Sequence, residues 1–275
     1  FYQMAGRAGR RSIDPEGYVF CRVNPHDISP QELHRMIHGH PEKVRSQFNA
    51  SYATLLNLYH TYGEKLYDVY PNSFHHFQVR KFLQKKAVDL LRAKVGLLKE
   101  LRHIQDDKLT EKGQFAAKIY GYELVLSQLH ERGFLEELSL EALGILSLAI
   151  VYEPRRGMRK PHLDRRAVRL DEEVTVNMND IHRKERHFGI TPFSKRAMFH
   201  LSEAMDKWMK GADFAEILKC TDADEGEVVR FFRMSIQILR EIREAPISVP
   251  MQERITKLIG MINRDVIDSE KQLRS

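Results

Sequence analysis

From Gly121 to its carboxy terminus, outside the charged stretch 153–187, the chain carries one spacing, and that spacing is helical. The clearest stretch is 225–244. Val228, Phe232, Ile236 and Leu239 follow steps of four, four and three, which puts them on one helix face. Arg230, Arg233, Gln237 and Arg240 line another face at steps of three, four and three. Asp224, with Glu227 three residues on, is placed to cap the start. A preceding helix over 212–219 and a turn over 220–224 complete a helix-turn-helix outline. Further helices are expected over 122–132, 140–151, 195–210 and 250–273. Helices with one apolar face must bury it against one another, so a mainly α fold is predicted.

The front half is more mixed. Residues 1–24 read as a loop, a turn at Asp14-Pro15-Glu16-Gly17 and a short strand from Tyr18 to Val23. Ser29-Pro30-Gln31-Glu32 has the order of a capping box with proline in the first turn. Val44, Phe48, Tyr52, Leu55 and Tyr59 predict a helix with Pro41 in its first turn and Gly63 at its end. A short segment at 71–77 leads into a lysine-rich helix over 79–101, and 108–113 is expected to form a hairpin or wing before Ala116. The charged stretch 153–187 is assigned no helix. Seven Arg or Lys and one Asp between 155 and 169 make it either a solvated insertion, the commoner use of such runs, or a second nucleic-acid surface.

Composition narrows the function. With 42% hydrophobic residues in 275, the chain can bury real cores as two domains or three small ones. Its +6 net charge fits a polyanionic partner without requiring one. Cys21 and Cys220 stand far apart, so neither a disulfide framework nor a cysteine-based zinc site is expected; the default is a reducing compartment, here the cytoplasm. No apolar run is long enough to span a membrane, and no signal peptide is expected. The histidine pairs His38/His40, His75/His76 and His182/His187 lack a third ligand at suitable spacing, so no metal site is predicted. Trp208, flanked by Met205 and Met209 on an amphipathic stretch, reads as core rather than as a stacking platform.

Gln3, Arg7 and Arg10 stand in the pattern Q-x-x-G-R-x-G-R. Phosphoryl transfer builds negative charge on the transferred phosphate, and a planar guanidinium meets it with several donors at once. Gly6 and Gly9 would let the backbone pass close to a nucleotide. Alone, such a loop could equally be basic and inert. The full string from Gln3 to Asp14, however, resembles motif VI of superfamily 2 helicases in the form used by superkiller-type DExH RNA helicases. Ser12 stands where that family usually has glycine. The resemblance continues through 33–77, within which Ser73-Phe74-His75-His76-Phe77-Gln78 is similar to the family's S-F-x-x-F-Q, and through 109–119, 208–245 and 262–266.

What the resemblance implies is a remnant of the second RecA-like domain over 1–24, a winged-helix domain over 25–121, and a DSHCT helical bundle over 122–275. The bundle would hold a ratchet-like helix at 225–244 and the basic insertion 153–187. Gln3, Arg7 and Arg10 would face ATP, with Mg2+, in the parent helicase. Arg230, Arg233, Gln237 and Arg240 would line the path of single-stranded RNA, with DNA as the alternative. Upstream RecA-like domains and an exoribonuclease are the other implied partners. Relatives often carry a basic residue followed three later by an acidic one where Met234 and Gln237 stand here, so Arg230 and Arg233 are expected to substitute. Only about 30 residues separate Gln78 from Leu109, which leaves no room for the eukaryotic arch insertion and points to a bacterial or organellar member. The chain opens at Phe1 inside a motif and contains neither a G-x-x-x-x-G-K-[ST] loop nor a D-E-x-H box. It is therefore expected to be a cut piece without ATPase activity of its own. The rival expectation is a nucleic-acid-binding or protein-docking module outside the RNA helicases.

Overall fold

The computed structural model describes residues 5–10, 12–24, 26–39, 44–46, 50–159 and 161–268. The chain divides into two compact units, Phe1–Gln47 and Phe48–Ser275.

In the first unit the predicted strand does not form. Residues 16–24 are irregular, and Tyr18, Val19, Phe20 and Val23 are exposed, Phe20 to 94%. β-Branched and aromatic residues favour a pleated surface, but an isolated strand has nowhere to send its N–H and C=O groups. The expected capping box is real: the Ser29 hydroxyl accepts from the Glu32 N–H, and the Glu32 carboxylate accepts from the Ser29 N–H at 3.1 Å. It starts helix α1, Pro30–His38.

The second unit opens with α2, Tyr52–Tyr62. This helix begins later than its apolar spacing predicts, because the Ser51 hydroxyl caps it by accepting from the Thr54 N–H. Val44 is non-helical and 75% exposed, while Pro41 and Phe48 lie outside the described residues. Gly63 ends the helix as expected, at φ 56°. After short 3-10 turns come α3, Phe74–Gln78, and α4, Lys81–Glu100. The hairpin is tighter and earlier than predicted. Strands β1, Ile104–Gln105, and β2, Lys108–Leu109, pair antiparallel with Ile104 opposite Leu109. Asp106 and Asp107 make the turn at φ 47° and 56°, a region aspartate tolerates better than most residues. Thr110 then caps α5, Glu111–Ala116, so 110–113 is helix start rather than wing.

Beyond Gly121 follow α6, Glu123–Glu131; α7, Phe134–Glu137; α8, Leu140–Val151; α9, Arg165–His187; α10, Ser202–Met209; α11, Phe214–Leu218; α12, Glu225–Glu244; and α13, Val249–Ile262. The fold is mainly α, as predicted, and α8 and α12 coincide with their expected bounds. The helix expected over 195–210 starts only at Ser202, after a 3-10 turn at Phe199–Leu201. The one expected over 250–273 ends at Ile262, where Asn263 leaves helical geometry.

The largest correction is α9. The stretch taken as a solvated insertion contains a 23-residue helix whose Ala167, Leu170, Val174, Met178, Ile181 and Glu185 are buried against the bundle. Their steps of three, four, four, three and four are helical, but charged neighbours dilute them and hide the stripe from a reading of composition.

One apolar core runs from Tyr52 to Ile267, so the boundary expected near 121 is bridged by continuous packing. Buried polar groups stitch the same junction. The Glu185 carboxylate accepts from the Tyr52 hydroxyl at 2.9 Å and from the Ser194 N–H and hydroxyl. Glu123 accepts from the Ala53 N–H at 3.0 Å across it, while on the amino-terminal side alone the Lys94 ammonium donates to the Ala50 carbonyl at 2.7 Å. Burial and the Glu185 charge raise the Tyr52 phenol well above its ordinary range, while burial raises the Glu123 carboxyl and lowers Lys94. Trp208 is core, as its neighbours predict. Its indole N–H donates to the Ile262 carbonyl at 2.9 Å, and the Arg264 guanidinium lies 3.5 Å over the ring.

Candidate nucleic-acid interface

Helix α12 is fixed at its start by a full capping box between Asp224 and Glu227. Arg155, from the basic stretch, then pairs with both carboxylates, at 3.0 Å and 3.1 Å. On the inner side Val228, Phe231, Phe232, Ile236, Leu239 and Ile242 are buried, chiefly against α8 and α13. A helix held this way presents a defined outer face.

That outer face carries Arg230, Met234, Gln237 and Arg240, all exposed. Arg230, Met234 and Gln237 follow one another at i, i+4 and i+7, so they form a single row. The Arg230 guanidinium rests 4.6 Å from the Phe231 ring centroid. Gln237 donates to Glu241 at 3.2 Å, and Glu241 also accepts from the Tyr120 N–H at 3.0 Å. Arg233 differs from its expected role. It is half-buried, and its guanidinium donates to the Ile267 and Val266 carbonyls, each at 2.9 Å. It pins the 3-10 turn Asp265–Ile267 to α12. Of the four residues that spacing places on one face, three stay open to solvent and one is spent on the fold. Exposed Met234 stands between them and offers an apolar contact that a reading for charge overlooks. A row of this kind can hold phosphates through Arg230 and Arg240 without reading base edges.

In the other unit, Arg7 and Arg10 are exposed, and Gln3 lies outside the described residues. The Arg10 N–H and guanidinium both donate to Asp14, at 2.8 Å and 3.2 Å, which holds that carboxyl below its ordinary range. The loop folds back tightly. A Cβ on Gly17 would sit 2.3 Å from the Ala8 carbonyl oxygen, so glycine is required there. Arg7 and Arg10 thus sit on a close-wound loop, with Arg10 held by Asp14 and Arg7 open to solvent. Among the described residues no group of three His, Cys, Asp or Glu is placed to hold a metal ion. Two of the histidines in those pairs have other work: His75 is hydrogen-bonded to Tyr70 at 2.8 Å and His182 to the Ser194 carbonyl at 2.7 Å. No helix among the described residues is long and apolar enough to cross a membrane.

Residues 106–270, more than half of the chain, match the family model described as the DSHCT (NUC185) domain. The match includes the stretch 153–187. Among curated relatives, "Superkiller complex protein 2" of Mus musculus is 31% identical over 151 residues, 54% of this chain and 12% of the relative. "ATP-dependent RNA helicase mtr4" of Schizosaccharomyces pombe is 25% identical over 198 residues, 66% of this chain and 17% of the relative. "Exosome RNA helicase MTR4" of Homo sapiens is 24% identical over 208 residues, 69% of this chain and 19% of the relative. The chain thus spans under a fifth of the length of each. These relatives are eukaryotic and lend no support to a bacterial or organellar origin.

Proposed function

The chain belongs to the DSHCT domain family, and on that premise we propose that it is the carboxy-terminal part of an ATP-dependent RNA helicase of the superkiller type. In this reading the parent translocates along single-stranded RNA and unwinds duplexes during RNA processing or decay. The observation that carries it is the open row on α12, Arg230, Met234 and Gln237 with Arg240 beside it, in a chain whose relatives are named as RNA helicases. Arg230 and Arg240 contact phosphates, and Arg233 acts as a positioning residue that keeps the helix end in place. The RecA-like origin of 1–24 and the winged-helix identity of 25–121 belong to the same proposal. So do a cytoplasmic location and an exoribonuclease partner, the latter supported by the human relative's name.

Arg7 and Arg10 fit contacts to the ATP phosphates in the parent, where Mg2+-ATP supplies the phosphoryl group whose hydrolysis drives movement. The chain itself has neither the phosphate-cradling loop nor the D-E-x-H box, so it should not hydrolyse ATP; appreciable turnover by the purified chain would overturn that expectation.

The test is binding of a labelled single-stranded RNA across a salt series, with DNA of the same sequence in parallel. Arg230→Ala and Arg240→Ala should each weaken binding and lower the salt slope by about one. If neither changes affinity or slope, the strand does not run along α12.

A further inference from the structure

A second surface of the same unit has the chemistry of a polyanion site. At the corner between α3 and α4 three phenylalanines face solvent: Phe74 is 52% exposed, Phe77 84% and Phe82 65%, with Leu83 at 45% beside them. Aromatic rings gain by leaving water, so three left open within nine residues form a patch that calls for a ligand. The corner is built rather than loose. Ser73 caps α3, the Gln84 side chain donates to the His76 and Val79 carbonyls at 2.8 Å and 3.1 Å, and Tyr70, 4% exposed, holds His75. The opposite side of α4 buries Ala87, Leu91 and Val95.

Charge singles out the occupant. Arg80, Lys81, Lys85 and Lys86 are exposed on the same segment, and no Asp or Glu occurs between Asp68 and Asp89. Among the described residues none of these four cations forms an ion pair; Lys86 instead sits 4.5 Å from the Phe82 ring centroid. The Phe74 and Phe77 planes lie within 17° of each other, with centroids 6.5 Å apart. Flat rings and cations alternate along the segment, which fits a ligand that repeats a flat apolar group and a negative charge at short intervals. Single-stranded nucleic acid is such a ligand. Its unstacked bases meet aromatic faces and its phosphates meet lysines.

We propose that the α3–α4 corner is a second single-strand-binding surface, on which bases stack against Phe77 and Phe82 while Arg80, Lys81, Lys85 and Lys86 hold phosphates. It is separate from the α12 row and stands whether or not that row binds RNA.

The test uses the whole chain and single-stranded oligoadenylate or oligouridylate, each read by fluorescence anisotropy over a salt series. Phe77→Ala and Phe82→Ala should each weaken binding about fivefold or more while leaving the salt slope unchanged, since they remove stacking and not charge. Phe77→Trp should restore affinity. Lys81→Ala with Lys85→Ala should lower the slope. Photocrosslinking to thiouridine-substituted RNA should map to peptide 74–86. Wild-type affinity in the double phenylalanine variant, or a crosslink map lacking that peptide, overturns the proposal and assigns the patch to a protein partner. Because Arg230→Ala is measured beside these variants, loss of either surface is distinguishable from loss of the other.

Discussion

Residues 155–169 and residues 80–86 both concentrate arginine and lysine, and the fold treats them differently. In the first stretch three of the six described cations are paired: Arg155 with Asp224 and Glu227, Arg159 with Asp222 at 4.0 Å, and Arg166 with Asp206 at 3.4 Å. From Arg165 onward the same stretch enters a helix of the core. In the second, the four cations have no carboxylate partner among the described residues and share their surface with open phenylalanine rings. Density of positive charge in a sequence therefore does not locate a binding face. What decides is whether the fold brings acidic groups to the same place, since a neutralised cation has little left to offer a phosphate.

The sharpest way to break this contrast is to attack α9. Ile181→Ala should cost about 2–5 kcal/mol in urea unfolding, because the side chain is 1% exposed and leaves a cavity. A cost within experimental error would return 165–187 to the status of a solvated insertion.

Next in size is a pH effect confined to the core. His103 is buried, its Nε2 is hydrogen-bonded to Ser127 at 2.7 Å, and desolvation followed by the nearby Lys112 charge lowers it from 6.5 to about 3. The unfolded chain binds the extra proton first as pH falls. This contribution is therefore complete above about pH 6.5 and is lost progressively down to about pH 3. Wild type should lose more stability than His103→Gln across that window, by an amount on the order of a few kcal/mol, and the difference should vanish above it. Parallel pH profiles for the two proteins would remove His103 as the cause.

The smallest effect should come from the paired arginines. Arg155→Ala is expected to leave stability almost unchanged, since its ion pairs are solvent-exposed and screened, and to leave the affinity of the α3–α4 corner for single strands untouched. If it weakened strand binding as much as Lys81→Ala, the two basic stretches would be equivalent after all.

Legibility followed locality. The capping boxes at Ser29 and Asp224 and the bounds of α8 and α12 are set within a few residues, and each was readable. The start of α2 was not, because the periodic positions Val44 and Phe48 continue the pattern upstream of a cap at Ser51 that ends it. The strand at 18–23 failed for the opposite reason: its propensity was right, but strands need partners that no local pattern supplies. On α12 the row of polar residues was readable, while the diversion of Arg233 to two carbonyls more than thirty residues away was not.

By itself the sequence determined the mainly helical class, the amphipathic α12, the glycine-rich loop bearing Arg7 and Arg10, and the family resemblance, all properties of nearby residues in a fixed order. Only the tertiary structure decided that α9 is core, that Arg155 and Arg233 serve the fold, and that Phe74, Phe77 and Phe82 stay uncovered. Burial and charge pairing depend on which distant side chains arrive at the same point in space, and local spacing carries no record of that.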